Sequence, residues 1–464
     1  MRKVVEDGLK LDNRKRRQIM QKMTQGSIPK HLIGYAIPMI FGNLLQLTYN
    51  AVDSMVIGKC LGENALAAVS TTNPIMTIFV LGVSGLSMGA SVLMSRFYGA
   101  KEEEKVRAEF ATTLIFSLLC SLVVFVLGMI FSGAILHLIR VPVEIRPEAN
   151  TYLRIMFFGF LFTFLYNVLA AAMRSLGDSK TPVISLSVSC ILNVALDLLF
   201  VAVFSWGVVG AAMATVISQC ISVMAQVALI LKRLPLLRLS RKEMRVDRAL
   251  LRETLSIGSL TALQQAAQPI GKILIQSVIN MQGVAAIGAF NAVCRIDDFA
   301  CIPAQSIGAA IMTCTAQNRG ARDEKRCRET FRGGLTLALG YFPIICTATL
   351  LFGRTIVSLL VPNNAVNMID MGTAYLHVKA WFFIMPCLTN AIQGFFRGMA
   401  KMRIVLFSTV LQISLRTVFV SVLVPRMGIT GEAYACFIGW IVMAIWEYGY
   451  YLCVRDKMYR TITE

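Results

Sequence analysis

Twelve long apolar stretches dominate this chain. Each runs about 20 residues or more, which is the length that a helix needs to cross about 30 Å of hydrocarbon. The predicted helices 1 to 12 extend over residues 32–57, 66–95, 110–138, 151–173, 182–204, 208–231, 255–280, 285–316, 332–352, 374–396, 404–424 and 431–454. The pattern predicts an all-α integral membrane protein with twelve transmembrane helices.

The positions of the basic residues predict how these helices are oriented. The formal net charge is +19, which in a soluble protein would suggest a nucleic-acid partner. If the N-terminus is cytoplasmic, most of the 45 Lys and Arg residues fall in cytoplasmic segments. The outer side then holds only Lys59, Arg140, Arg146, Arg354 and Arg426. This asymmetry follows the positive-inside rule, so we expect both termini in the cytoplasm and no nucleic-acid partner.

The chain contains an internal repeat. Residues 62–107 align with residues 283–328 without a gap, and Tyr152 and Arg174 have counterparts in Tyr375 and Arg397. Six helices per half give the two halves the same orientation in the membrane. The repeat therefore predicts two pseudo-symmetric six-helix lobes around a central cavity, an arrangement typical of secondary transporters.

Five segments follow from the repeat and the charges. They are a basic cytoplasmic tail over 1–31, an N-lobe over 32–231 with helices 1–6, a cytoplasmic linker over 232–252, a C-lobe over 253–454 with helices 7–12, and a cytoplasmic tail over 455–464. No P-loop motif is present, and the 12 cysteines form no CxxC pair. We expect no enzymatic activity, no cofactor and no bound metal cluster.

Ionisable side chains within the apolar stretches are the candidate functional residues of the first half, because a charge in hydrocarbon costs about 2.5–3.5 kcal/mol on insertion scales. Asp53 lies in predicted helix 1 and Asp197 in predicted helix 5. Tyr49 and Asn193 each precede one of these acids by four residues, so each pair shares a helix face. Asn167 and Thr215 add further oxygen atoms.

Two carboxylates with such neighbours can act in two ways. They can share a proton, because close like charges favour the neutral form of one acid. Alternatively, oxygen atoms of Asp53, Asn193, Asp197 and Thr215 can bind Na⁺. A purely structural reading also stands, in which each aspartate is hydrogen-bonded within the bundle or lies near a helix end.

The second half offers a different set of polar residues. Predicted helix 7 carries Gln264, predicted helix 8 carries Arg295, Asp297 and Asp298, and predicted helix 10 has no acid in its core. Asp298 can pair with Arg295 three residues away, as a structural ion pair that faces a cavity. Alternatively, these residues serve substrate binding or ion coupling, in a C-lobe cavity lined by Gln264, Arg295, Asp297 and Asp298. Lys272 and Arg416 are further candidate partners for the two acids.

Several motifs together resemble the multidrug and toxic compound extrusion (MATE) family, most closely its DinF-like prokaryotic branch. The resemblance covers residues 32–454. It rests on Pro38 followed by Tyr49-x-x-x-Asp53, Arg174-x-x-Gly177-Asp178-x-Lys180-x-Pro182, Asn193-x-x-x-Asp197 and Gly207-x-x-Gly210-Ala211-Ala212-x-Ala214-Thr215.

The resemblance implies a secondary antiporter in a prokaryotic cytoplasmic membrane. Such a protein exports mostly cationic, amphipathic organic compounds in exchange for H⁺ or Na⁺ by alternating access, and we expect it to act as a monomer. The family pattern places cation coupling at Asp53, Asp197, Tyr49, Asn167, Asn193 and Thr215, with Pro38 as a hinge in helix 1. The chain departs from the other bacterial branch, which has an acidic cluster on helices 7 and 10.

An alternative function is a flippase for lipids or lipid-linked oligosaccharides within the same superfamily. A flippase for a pyrophosphate-linked lipid would need a strongly cationic cavity. Lys272, Arg295 and Lys379 are the only candidates for such a cavity in the predicted helices. A channel or a membrane-embedded enzyme is less compatible with the repeat and with the lack of a nucleophile or metal cluster.

Overall fold

The computed structural model describes residues 23–361 and 365–463, and these form helices and short connections without any β-strand. The predicted tail over 1–31 lies outside the described residues as far as residue 22, and residue 464 of the second tail lies outside them too. Residues 28–31 already belong to the first helix.

Thirteen α-helices are present in the described residues. They are α1 (Ile28–Leu61), α2 (Glu63–Gly99), α3 (Glu103–Leu138), α4 (Arg146–Ser175), α5 (Lys180–Asp197), α6 (Gly207–Arg233), α7 (Arg248–Ile279), α8 (Val284–Gly320), α9 (Glu324–Leu360), α10 (Val366–Phe382), α11 (Ile384–Gly398), α12 (Met402–Met427) and α13 (Thr430–Thr463). Within the described part of the chain, ten helices are long and apolar enough to cross a membrane. The prediction of an all-α integral membrane protein is confirmed.

Predicted helix 10 forms two helices, α10 and α11, which meet at Phe383. Pro386 lies in the first turn of α11 and has no N–H to donate to the carbonyl oxygen of Phe382. A proline is tolerated in the first turn of a helix but interrupts a helix interior. This residue therefore accounts for the extra helix beyond the predicted twelve.

Aspartate side chains determine where three helices begin. Asp178 Oδ1 accepts hydrogen bonds from the backbone N–H groups of the first turn of α5. Asp247 does the same for α7, and Asp323 for α9. Such caps satisfy N–H groups that have no partner within the helix. Because Asp247 caps α7, this helix begins at Arg248 and includes the last part of the predicted linker over 232–252.

The chain forms two compact units. One contains Phe41–Ala262, and the other contains Met23–Ile40 together with Leu263–Glu464. Both α1 and α7 contribute to each unit, because α1 changes unit after Ile40 and α7 changes unit after Ala262. The two positions are 222 residues apart, within one residue of the 221-residue offset between 62–107 and 283–328 in the internal repeat.

Helix α4 is central to the first unit, where it packs against α2, α3 and α6. Phe157 and Phe160 of α4 contact Phe79 of α2, with ring centroids 5.6 and 5.5 Å apart. On α3, Gly128 lies so close to Phe157 that an added Cβ would be 2.3 Å from the ring. Packing around the ring of Phe157 therefore joins α2, α3 and α4.

Close contact between backbones joins α8 and α11 in the second unit. A Cβ on Gly394 would lie 2.3 Å from the carbonyl oxygen of Gly308, and a Cβ on Gly308 would lie 2.7 Å from that of Asn390. Small residues allow membrane helices to approach in this way. Neither glycine has room for a side chain without moving one helix.

We expect Gly394→Ala to lower the free energy of unfolding by about 1–3 kcal/mol, as overpacking typically does. Gly340→Ala on α9 is the matched control, since apart from its own helix backbone and chain neighbours no described atom lies within 4 Å of its Cβ position. That control should change stability by less than about 1 kcal/mol, in the stabilising direction. Thermal unfolding of the purified variants in detergent measures both, and equal stability of the two variants would contradict the packing argument.

Candidate functional site

Asp53 of α1 and Asp197 of α5 come together in the first unit. Their carboxyl groups lie close enough to interact directly with each other, and Asp197 is fully buried. An ionised carboxylate has no donor, so the two groups can share a hydrogen bond only when one of them carries a proton. Neither oxygen of Asp197 has a hydrogen-bond partner among the described residues.

The backbone changes its winding at Asp197. This residue ends α5, and a π-helical turn over Leu198–Val203 follows. The backbone N–H of Phe204 donates to the carbonyl oxygen of Leu199 at 2.9 Å, a bond that spans five residues. Isolated π-helical turns within α-helices often occur at functional sites. The change from α-helical to π-helical winding therefore occurs at the residue that carries the buried acid.

Asn193 and Thr215 lie next to each other beside the aspartates on α5 and α6. The side-chain amide of Asn193 donates to Thr215 Oγ1 at 3.4 Å, and Thr215 donates to the carbonyl oxygen of Ala211 at 3.1 Å. Asn193 is 2% exposed, and its Oδ1 has no donor within the described part of the chain. The pair therefore presents a buried amide oxygen one helical turn from Asp197.

Two tyrosines complete the surroundings of the acid pair. Tyr49 of α1 and Tyr152 of α4 both interact electrostatically with Asp53 and with Asp197. Tyr49 belongs to the predicted set, whereas Tyr152 was noted only as part of the repeat. The sequence signal that could have identified Tyr152 is its match to Tyr375 in the internal repeat. Tyr375 also lies beside buried acids, in the second unit.

Two predicted residues stand apart from this arrangement. Asn167 donates to the carbonyl oxygen of Thr163 in its own helix at 2.8 Å, and within residues 23–361 and 365–463 no hydrogen bond joins it to either aspartate. Pro38 lies inside α1, which continues as a helix on both sides of it. It belongs to the Met23–Ile40 segment of the second unit.

The second unit contains a buried cluster of four charges. Lys379 of α10 pairs with Asp297 of α8, and Arg416 of α12 pairs with Glu432 of α13. The hydroxyl of Tyr375 donates to Glu432 and lies 3.1 Å from Lys379 Nζ, which lies 3.9 Å from Glu432. We call these five residues the ionic cluster. Two acids and two bases cancel, so the cluster carries no net charge for a cation to neutralise.

The structure shows which basic residues pair with Asp297 and Asp298 of α8. Asp298 pairs with Lys272 at 3.0 Å, with both side chains about half exposed, and no ion pair between Asp298 and Arg295 occurs in the described residues. Arg416 pairs with Glu432 rather than with either aspartate. Glu432, which the sequence reading overlooked, is thus the acid that compensates Arg416.

Gln264 belongs to another buried group, formed by α7, α11, α12 and α13. Its amide nitrogen donates to Thr409 at 3.3 Å and its oxygen accepts from Arg397 at 3.1 Å. Gln393 also donates to Thr409, at 3.3 Å, and Glu447 lies beside Gln393 and Ser408. We call these residues the Gln264 group: Gln264, Gln393, Arg397, Ser408, Thr409 and Glu447. Glu447 was also missed, although an acid in the middle of predicted helix 12 meets the criterion that selected Asp53.

Comparison with known proteins agrees with this architecture. The MatE family model matches residues 38–199 and 261–422, one match in each half of the repeat. The probable multidrug resistance proteins YpnP and YoeA of Bacillus subtilis are 29% and 28% identical to this chain. Each alignment covers 95% of this chain, with 98% of YpnP and 96% of YoeA. The multidrug export protein MepA of Staphylococcus aureus is 23% identical over 80% of this chain and 81% of its own length.

Solved structures show the same fold. One described as an outward-facing conformation of a multidrug resistance MATE family transporter superposes with a TM-score of 0.89 at 21% identity, covering 94% of this chain and 98% of the other. A crystal structure of MATE in the bent conformation gives a TM-score of 0.88 at 21% identity, covering 95% and 98%. With a family model matched in both halves, this chain belongs to MatE, the multidrug and toxic compound extrusion family of membrane transporters.

Proposed function

We propose that this chain is a secondary active antiporter that exports organic, mostly cationic and amphipathic compounds in exchange for H⁺ or Na⁺. The observation that carries the proposal is the pairing of Asp53 with the fully buried Asp197 on two helices long and apolar enough to cross a membrane. The names of the relatives, which are multidrug resistance or export proteins, support the substrate class.

Switching of the acid pair between charged and neutral forms is the proposed coupling step. Two ionised carboxylates side by side repel each other, and one bound proton or Na⁺ relieves that repulsion. In the ionised form the pair attracts a cationic substrate, and in the neutralised form it does not. Binding of the coupling ion from outside therefore lowers the affinity for the substrate, which leaves.

Both coupling ions remain candidates on the chemistry of the side chains. A proton needs only the two carboxyl groups. Na⁺ needs several oxygen ligands, and Asp197, Asp53 and Asn193 each have a buried side-chain oxygen that accepts no hydrogen bond from a described residue. Thr215 Oγ1 adds a further oxygen. The oxygen set fits Na⁺ as well as H⁺.

Pro38 is the proposed hinge of α1. A proline within a helix removes one backbone hydrogen bond and weakens the helix locally. Pro38 lies two residues before the position at which α1 passes from one compact unit to the other. A change in charge at Asp53, further along the same helix, can therefore be accommodated by bending at this residue.

The proposal includes a cytoplasmic membrane location with both termini in the cytoplasm and action as a monomer. The flippase alternative draws less support from the side-chain contacts. Of the three basic residues that could form a cationic cavity, Lys379 is paired with Asp297 and Lys272 with Asp298. Basic residues that are already compensated attract a pyrophosphate weakly.

Transport in liposomes tests the proposal and separates the two coupling ions. Purified protein should export a dye such as ethidium when an inward gradient of its coupling ion, H⁺ or Na⁺, is imposed. Collapse of the coupling ion's gradient should stop export. Collapse of the other gradient should have no effect. Export that continues when both gradients are collapsed would contradict ion-coupled antiport, and movement of a labelled lipid without dye export would favour the flippase.

A further inference from the structure

Glu447 is a fully buried acid deep in α13. It lies seventeen residues after Thr430, about 25 Å along the helix axis, and its exposed fraction is 0%. Glu447 Oε1 accepts hydrogen bonds from Ser408 Oγ at 2.6 Å and from Gln393 Nε2 at 3.1 Å. The other oxygen, Oε2, is buried and has no partner among the described residues.

Glu432 on the same helix provides the contrast. Arg416 and Tyr375 bind Glu432 directly, and Lys379 lies 3.9 Å away. Direct pairing with buried bases keeps that carboxylate ionised, because removing its charge would leave the bases uncompensated. Glu447 has no base within ion-pair distance in the described part of the chain, so nothing holds it in the ionised form in this way.

Among the described residues, Arg397 of α11 is the charged group that interacts electrostatically with Glu447. Its guanidinium donates to the side-chain oxygens of Gln264 and Gln393 at 3.1 and 3.2 Å. Gln393 in turn donates to Glu447. The amide of Gln393 thus stands between base and acid. From α12, the hydroxyl of Ser408 contacts Glu447, and a serine hydroxyl does not titrate.

Ser408 offers two alternative hydrogen-bond arrangements. Its Oγ lies 3.0 Å from the carbonyl oxygen of Val405 and 2.6 Å from Glu447 Oε1, but a hydroxyl has only one hydrogen to donate. When Glu447 is ionised, Ser408 donates to it. When Glu447 is protonated, Ser408 can accept from the acid and donate to Val405. Rotation of one hydroxyl therefore satisfies both charge states.

We propose that Glu447 is a second proton-binding site, located in the second compact unit and separate from Asp53 and Asp197. The geometry favours H⁺ over Na⁺, because Na⁺ requires several oxygen ligands. The oxygens of Gln264 and Gln393 are taken by Arg397, and the amide nitrogen of Gln393 faces Glu447. Proton binding at Glu447 does not depend on the proposed antiport. The use of this proton in transport does depend on the proposed antiport.

Infrared difference spectra of the purified full chain, recorded between acidic and alkaline pH, test proton binding directly. The wild type should show a titrating carbonyl band of a protonated carboxyl, and Glu447→Gln should lose it. Asp197→Asn should keep this band and lose a different one. Ser408→Ala should shift the Glu447 band, because the acid loses its hydroxyl partner. A Glu447→Gln spectrum identical to that of the wild type would overturn the proposal.

The variant and the ion both have controls. Glutamine has the shape of the protonated acid and can accept the same two hydrogen bonds, so Glu447→Gln should unfold no earlier than the wild type. If Glu447→Gln nevertheless fails to fold, the infrared band of Ser408→Ala tests the proposal instead. A band that is not shifted in Ser408→Ala would count against the proposal. Replacing K⁺ by Na⁺ at constant pH should leave the band unchanged, and its loss would overturn the choice of H⁺. Wild-type protein that shows the band but exports no dye would refute the antiport proposal and leave this site standing.

Discussion

Asp197→Asn is expected to abolish gradient-driven export without loss of folding. Asparagine has nearly the shape of aspartate but is neutral at every pH, so the acid pair can no longer change its charge. One-for-one exchange of H⁺ or Na⁺ for a monovalent cation moves no net charge, so the concentration gradient of the ion drives it. A gradient of about fifty-fold supplies about 2.3 kcal/mol, which can support a dye ratio of about fifty. In liposomes with a matching gradient, we expect the dye ratio across the membrane to fall from about that value to one.

Stability and a control variant distinguish lost coupling from lost structure. Removing one of two adjacent acids relieves repulsion, so the thermal unfolding temperature of Asp197→Asn should be equal to or higher than that of the wild type. Asp370→Asn is the matched control, because Asp370 forms an exposed pair with Arg354 at 3.0 Å. This control should export normally. Undiminished gradient-driven export by Asp197→Asn would refute the assigned coupling site.

Glu432→Gln is expected to cause the largest loss of stability. The substitution leaves the buried Arg416 and Lys379 without one of their two counter-charges. Breaking a buried pair by removing one partner typically costs about 3–5 kcal/mol, because an uncompensated charge remains in a medium of low polarity. Unfolding of purified protein in detergent, by heat or by denaturant, should show a reduction of that size.

Two further variants test whether charge is the cause. The double variant Arg416→Gln with Glu432→Gln removes acid and base together and should recover a large part of the lost stability. Asp370→Asn breaks an exposed pair and should cost no more than about 1 kcal/mol. If Glu432→Gln is as stable as Asp370→Asn, the ionic cluster does not hold α10, α12 and α13 together.

The sequence was sufficient to predict the two acids of the first unit, because the cost of a charge in an apolar stretch depends on that stretch alone. A carboxylate in an apolar stretch is costly wherever the helix packs, so Asp53 and Asp197 could be identified without knowing their neighbours. The same rule would have identified Glu447 and Glu432. It could not have told them apart, because one is compensated by bases on other helices and the other is not.

Errors in the predicted elements also have local causes. The break in predicted helix 10 follows from Pro386, and the earlier start of α7 follows from the cap at Asp247. Both residues were visible in the sequence. A hydropathy pattern averages over many residues, however, and therefore does not resolve one proline or one capping side chain.

The sequence by itself determined the helical class, the membrane-spanning stretches and the duplication. In hydrocarbon a chain segment must satisfy its backbone hydrogen bonds within its own helix, so length and apolar composition are sufficient. Only the tertiary structure decided which buried charges meet: Asp53 with Asp197, Lys379 with Asp297, and Arg416 with Glu432. The physical reason is that a buried charge is stabilised only by groups within a few ångströms, and those groups lie on helices whose packing no local pattern encodes.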